Sequence, residues 1–394
     1  MDKIKEFINA LTREDKPNKP IFFNLKQETD QEKLKYLFEQ KKIQHILDDY
    51  EEEQRELFGV KNPSKVYQPG FEEEFKKYYQ SLSEKGSTEK HGKWVFLPWS
   101  NTLSRILDEE DFQLVRTARN RNLINQEEQD KFYNSTIGIG GLSVGSSVAL
   151  ALVLQGGAKH IKLADMDRLA LSNTNRVLAG INNLGNLKVE MAAQRLYEIN
   201  PYITIEIFPE GLTVENIESF CQDLDIIIDE LDNLAIKYLI REQARKHHLP
   251  VVMAADNGDN AVVDIERYDL DPNMPYFHGR MGEVSYQELL NLDKFGIGKM
   301  ITKHVGPENV TERMQESLLE MGKTIVSWPQ LGGAALINGA TVAYCVRKIL
   351  NDQPLETNRA SISLDEKLVP DYSSNEALTH RQQISESFKK IFGL

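Results

Sequence analysis

Three glycines open the chemistry of this chain. Gly138, Gly140 and Gly141 lie where the apolar run Thr136–Gly140 gives way to the helical run Ser146–Gln155. A strand that turns into a helix through glycine lets backbone amides approach a phosphate, and the positive helix end then stabilises the anion. The spacing departs from GxGxxG, because the third glycine position is Ser143 and Gly145 follows later. The competing reading is a tight structural turn. Asp165, with Asp167 just beyond it, ends the next strand, His160–Ala164. A carboxylate there can accept hydrogen bonds from both ribose hydroxyls of a nucleotide. To this point NAD and ATP fit equally well.

The residues that follow separate the two. Leu171-Ser172-Asn173-Thr174-Asn175-Arg176 comes next, then Gly185 and Lys188. Dinucleotide phosphates are usually held by backbone amides. A triphosphate carries about twice their charge and needs side-chain cations, each contributing about 1.5–3 kcal/mol. Arg176 and Lys188 supply two. The run Asp229-Glu230-Leu231-Asp232-Asn233 follows the strand Leu224–Ile228. A carboxylate about 4 Å from a phosphate oxygen costs on the order of 4 kcal/mol at an effective dielectric near 20. Asp232 therefore fits as the ligand of a bridging Mg²⁺, with a helix N-cap as its competing structural role.

The elements that must position these residues alternate. Strands read at 136–140, 160–164, 203–208, 224–228 and 251–255, and helices at 146–155, 188–198, 215–221 and 234–246. Such alternation implies right-handed crossovers and a parallel sheet. Residues 261–268 form a further strand that leaves the pattern. A mostly helical insertion spans about 283–323, and Leu331–Leu350 is a long helix with small residues on one face, suited to a dimer seam or to intramolecular packing. The fold class is α/β, a Rossmann-like doubly wound, mainly parallel sheet with an N-terminal α+β domain. The expected domains are 1–114, 115–350, and a C-terminal extension, 351–394.

Within the first domain, Ile21–Phe23 reads as a strand and Leu34–Phe38 as part of a helix. The acidic run Asp48–Glu56 reads as a solvated helix face. Residues 81–92 read as a loop, and Pro98 bars the end of Trp94–Trp99 from a central strand.

Charge and cysteine content narrow the class. The formal net charge of −13, from 47 basic and 60 acidic residues, argues against nucleic-acid and anionic-membrane partners. Two cysteines, Cys221 and Cys345, give no CxxC, so a cysteine zinc site is not expected. The opening run MDKIKEFINALTREDK lacks the apolar core of a signal peptide, and no stretch approaches a membrane span. A cytoplasmic protein is expected.

The ordered runs GIGGLSVG, LADMDRLALSNTNR, GNLK, EINP and DELDN resemble the ThiF/MoeB family, the adenylating fold of ubiquitin-activating enzymes, over roughly residues 115–270. The resemblance implies ATP-dependent adenylation of a carboxylate with release of pyrophosphate. It implies that Gly138, Gly140 and Gly141 form the nucleotide loop and that Asp165 with Asp167 serves the ribose. Asn173, Arg176 and Lys188 would hold the phosphates, and Asp232 the magnesium. Asn120-Arg121-Asn122-Leu123-Ile124 resembles a segment whose arginine reaches the partner subunit's ATP site. Arg121 matches best, with Arg119 and Arg116 as competitors, and a homodimer is implied. The runs RTARNRNLINQEEQ, LSNTNRVLAGINNLG, FPEGLT and DIERYDL resemble a bacterial subgroup often fused to a nitroreductase-like domain, which is not expected here.

Many such proteins transfer the adenylate to a cysteine. Cys221 falls in a helix before the fourth strand and Cys345 on the apolar C-terminal helix, so both read as core thiols and no thioester step is expected. His278 and Arg280 are candidates for an acceptor site. Asp256, Asn257 and Asn260 are candidates to face the substrate carboxylate. That substrate fits a ubiquitin-like protein, a peptide, a carrier or a small carboxylate. The alternatives are a catalytically silent ThiF-like partner or scaffold, and an NAD(P)-dependent oxidoreductase.

Overall fold

The computed structural model describes residues 18–84 and 87–394. The opening run MDKIKEFINALTREDK lies outside the described residues, as do Lys85 and Gly86 of the 81–92 segment. The chain divides into two compact units, one ending at Arg121 and one spanning Asn122–Leu394. The sequence placed the division at 114. It falls later because Phe112, Leu114 and Val115 pack on Tyr50, Leu57 and Leu107 of the first unit.

The first unit holds four strands, β1 (Ile21–Phe23), β2 (His45–Asp48), β3 (Lys93–Leu97) and β4 (Thr102–Ile106), in the order β1-β3-β4-β2. β2 runs parallel to β4, and the other pairings are antiparallel. β3 is a central strand and stops at Leu97, immediately before Pro98, which has no N–H to give to a ladder. Phe23, Leu34, Trp94, Phe96 and Leu103 form its core. The loop expected from residue 81 begins later, since the helix Phe71–Ser83 runs into it.

The acidic run starts the helix Tyr50–Lys61, where Glu51 and Glu52 face water as expected. Glu53 does not. Its Oε2 accepts the Leu107 N–H at 2.8 Å. Burial pushes its pKa up to about 7 against that hydrogen bond, with Asp49 and Glu56 pushing the same way. The folded unit thus keeps a proton that the unfolded chain releases near 4.5, so stability falls as pH rises from about 4.5 to about 7 and levels above. Glu53→Gln, a neutral isostere, is expected to remove this slope in urea titrations between pH 4.5 and 7.5. An unchanged slope would refute the assignment.

The second unit is built on seven strands, β5 (Thr136–Gly140), β6 (His160–Ala164), β7 (Thr204–Phe208), β8 (Ile226–Asp229), β9 (Pro250–Asn257), β10 (Asn260–Arg267) and β11 (Arg359–Ile362). Their order is β11-β10-β9-β8-β5-β6-β7. β5 to β9 are parallel, while β10 and β11 add antiparallel edges. The fold is the mainly parallel α/β sheet expected. Ile137, Ile139, Ile226, Ile227, Ile228, Val251 and Val252 are fully buried, as unbroken apolar strands covered on both faces must be.

The helix Val144–Leu154 begins two residues before the expected start. The long helix Gly332–Leu350 packs on it, and a Cβ at Gly339 would stand 2.7 Å from the Ser147 backbone. At this glycine the small-residue face serves contact within the chain. The region 283–323 holds helices Tyr286–Leu290, Lys294–Val305 and Glu312–Glu320.

The segment read as a C-terminal extension is part of this unit. β11 pairs with β10, and Arg359 binds Asp264 through Nε at 2.9 Å and Nη2 at 2.7 Å. Phe388 and Phe392, on the helix Asn375–Phe392, share a core with Val305, Val310 and Met314. Among the described residues no helix is long and apolar enough to cross a membrane.

Candidate active site

The five parallel strands read β7-β6-β5-β8-β9 across the sheet. Connections therefore leave in opposite directions from β5 and β8, and the crevice at their carboxyl ends is a topological switch point, where open α/β sheets bind ligands. Gly140 ends β5 there with Gly141 just beyond it, and Glu230, Leu231 and Asp232 follow β8. Gly141 has φ of +84°, and a Cβ on it would stand 2.3 Å from the Glu230 carbonyl oxygen. Only glycine lets these two segments touch. Gly138 sits further down: it lies mid-strand, where a Cβ would meet Leu224 and Phe220, so its smallness serves core packing.

Asp165 holds the loop in shape. Its Oδ2 accepts the Leu142 N–H and its Oδ1 the Asp167 N–H, each at 2.7 Å. Burial raises its pKa, with Lys188 opposing. A carboxylate has room for further donors beyond these two. Lys188, nearly buried, meets Asp167 Oδ2 at 2.8 Å. Asn173 accepts the Ala170 N–H at 3.0 Å.

Ser143, the residue in the third glycine position, precedes the helix Val144–Leu154 but does not cap it. Its hydroxyl instead accepts from Arg176 Nε at 2.9 Å. The first amides of that helix are left without a side-chain cap, while the serine steers the arginine to the helix entrance. A cavity of about 220 Å³ adjoins this point, lined among others by Leu142, Arg176, Lys188, Met191 and Leu336. It shares the two cations with the crevice but not Asp165 or Asp232.

Asp232 is exposed and makes no hydrogen bond or ion pair among the described residues. The N-cap role weighed for it belongs to Asn233, whose Oδ1 accepts from Ala235 and Ile236 at 3.0 and 3.1 Å. No group of three or more metal-binding side chains occurs among the described residues.

Other candidates are engaged elsewhere. His278 Nε2 lies 3.0 Å from the Ile265 carbonyl, and Arg280 binds Asp264 at 2.9 Å, so both brace β10. Asn257 holds Asn309 and Thr311, and Asn260 holds Leu364 and Asp365. Asp256 is the one of the three near the cations: its buried carboxyl, raised by burial, accepts from Asn338 and Gln330 and feels Arg176. Arg119 and Arg121 are exposed in the first unit, and Arg116 bonds Gln113 there.

Sequence reasoning passed over a buried ionic cluster behind β8. Asp229 meets Lys237 at 3.1 Å and Arg241 Nη1, and Arg241 meets Glu266 at 2.7 Å, all essentially without exposure. Glu266 also accepts from Tyr268 and from the Phe277 N–H, each at 2.7 Å. Glu230 was passed over too. It accepts the Ala254 N–H at 2.9 Å, and burial raises its pKa well above the usual carboxylate range. The only local signal was the charged pair opening DELDN.

The ThiF family matches residues 117–265. An uncharacterized protein of Mycobacterium tuberculosis is 35% identical over 280 residues, 71% of this chain and 39% of that protein. The sulfur carrier protein adenylyltransferase of Thermus thermophilus is 28% identical over 40% of this chain and 57% of its own length. The molybdopterin-synthase adenylyltransferase of Haemophilus influenzae is 29% identical over 48% of this chain and 75% of its own. The chain thus spans 39% and 57% of the first two relatives. The glycine turn, the carboxylate beneath it, the two cations and the free carboxylate at the switch point all fall within residues 117–265, the part of the chain that matches the ThiF family.

Proposed function

We propose that the protein adenylates a carboxylate with ATP and releases pyrophosphate. The observation that carries this reading is Asp232, an unpartnered, exposed carboxylate at a switch point that also holds Arg176 and Lys188. A dinucleotide site has no use for that combination, whereas a magnesium triphosphate does. Names of relatives that include adenylyltransferases support the same class.

In this reading the phosphates approach the Gly140–Gly141 turn and the uncapped helix entrance, and the ribose hydroxyls donate to Asp165. Arg176 and Lys188 meet the phosphate oxygens, with Asp167 holding Lys188 in place and Asn173 shaping the turn before Arg176. Asp232 would hold Mg²⁺, which supplies charge neutralisation for the departing pyrophosphate. A substrate carboxylate oxygen forms a bond to the α-phosphorus. The bond to the bridging oxygen breaks, and pyrophosphate leaves with that electron pair. No general base is required, since the carboxylate is ionised at neutral pH. Catalysis rests on positioning and electrostatics. The carboxylate is that of a protein or peptide C-terminus, or a small acid. Arg121, or its neighbour Arg116 or Arg119, serves the ATP site of a second copy in a homodimer.

The reaction stops at the acyl-adenylate. Cys221 and Cys345 are buried, and burial pushes their thiols up to about 12 and about 11, far from a thiolate at neutral pH. A pyrophosphate-exchange screen over candidate carboxylates tests the activity. The double variant Cys221→Ala, Cys345→Ala is expected to keep exchange within about twofold. A thiol-sensitive adduct on the unaltered protein would overturn the last step.

A further inference from the structure

Resting on that reading, we infer that Asp256 and Asn175 are positioning residues that hold the Arg176 guanidinium toward the nucleotide, acting through Gln330. Asp256 stands at the carboxyl end of β9, two strands from the glycine turn. Its Oδ2 accepts from Gln330 Nε2 at 3.1 Å, and its Oδ1 accepts from Asn338 Nδ2. Both acceptors are thereby fixed by carboxamides, and Asn338 is fully buried. The Gln330 carbonyl in turn accepts from Asn175 Nδ2 at 2.8 Å, and Asn175 Oδ1 accepts from Arg176 Nη1 at 2.9 Å. Arg176 Nε completes the path at Ser143 Oγ.

The path ties the guanidinium to three elements: the β9 edge, the segment entering the helix Gly332–Leu350, and the start of the helix Val144–Leu154. A second contact locks the middle of it. A Cβ on Gly332 would stand 2.4 Å from the Asn175 carbonyl oxygen, so the backbone bearing Asn175 and Arg176 lies directly on this glycine. An arginine left to solvent would sample many rotamers. One gripped at Nε by Ser143 and at Nη1 by Asn175 presents its remaining N–H donors in one direction. Asp256 was a candidate to touch the substrate. Its carboxyl is held against Gln330 and Asn338 and reaches Arg176 through the Gln330 carbonyl and Asn175, which fits a supporting role better.

The test is Mg²⁺–ATP binding by calorimetry on the full chain, with single variants and double-mutant cycles. Arg176→Ala is expected to weaken ATP at least about tenfold, as loss of a charge-assisted contact does. Asn175→Ala, Gly332→Ala and Asp256→Asn are each expected to weaken it about two- to tenfold alone, the worth of an ordinary hydrogen bond. In the Arg176→Ala background the same three changes are expected to have less than about twofold effect, because they act only through that arginine. A merely structural role would instead weaken binding equally in both backgrounds, and that result overturns the inference, as does no effect of the three in the wild-type background. If neither the unaltered protein nor Arg176→Ala binds ATP, the adenylation reading falls first and takes this inference with it.

Discussion

Replacing Asp232 by alanine is expected to lower ATP–pyrophosphate exchange at least about a hundredfold, the scale seen when one group stabilising a phosphoryl-type transition state is removed. The melting temperature is expected to stay within about 1–2 °C, since surface changes away from caps and ion pairs cost little. The structure sharpens this contrast. Asp232 is exposed and has no partner among the described residues, while its neighbour Asn233 carries the cap of the helix Leu234–His247. Asn233→Ala should show the reverse pattern, losing about 1 kcal/mol of stability. Exchange that survives Asp232→Ala unchanged would remove the metal assignment.

Arg241→Met is expected to destabilise the second unit by about 3–5 kcal/mol, the cost of leaving a buried charge without its partner. That corresponds to roughly 10 °C in melting temperature for a unit of this size. Arg241 is fully buried between Asp229 and Glu266, with its guanidinium carbon 4.3 Å from the Phe277 ring centre. Burial would raise Asp229, but Lys237 and Arg241 outweigh it and hold the carboxyl below its ordinary range. With Arg241 gone, Glu266 loses its buried cation and Asp229 keeps only Lys237. Asp229 ends β8, directly before Glu230–Asp232, so loss of the arginine should also loosen the crevice. A change below about 1 kcal/mol in calorimetric unfolding would show that the cluster is not the anchor described.

The strands from 136 to 268 were legible because their buried positions carry apolar residues such as Ile, Val and Leu, unbroken over Ile226–Ile228 and Val251–Ala255, and the turns between them carry glycine or acid. The glycine turn, Asp165, Arg176, Lys188 and Asp232 were legible for the same reason: they sit at fixed places relative to those strands. What local pattern cannot show is which distant residue a charge will meet. Asp264 meets Arg359 across 95 positions, and Asp256 meets Asn338 across 82. The strand Arg359–Ile362 has four residues and no unbroken apolar run, so it read as tail. Ser143 looked like a defect in a glycine pattern. Its meaning lay in Arg176, 33 positions away, and a hydroxyl in that slot followed by an arginine beyond the next strand was the available signal.

The late arrival of β11 has a consequence for biosynthesis. β10 is made about 95 residues before the strand that covers it. At roughly 5–20 residues per second, the nascent sheet presents β10 as an open edge for about 5–20 s. Val262 and Val263, almost wholly buried in the finished protein, lie on that edge. An unpaired edge of this kind is a template for pairing between chains, so crowding of nascent chains on one message would be most dangerous in this interval. Asp264 stands on the same strand, and a charge on an open edge discourages such pairing.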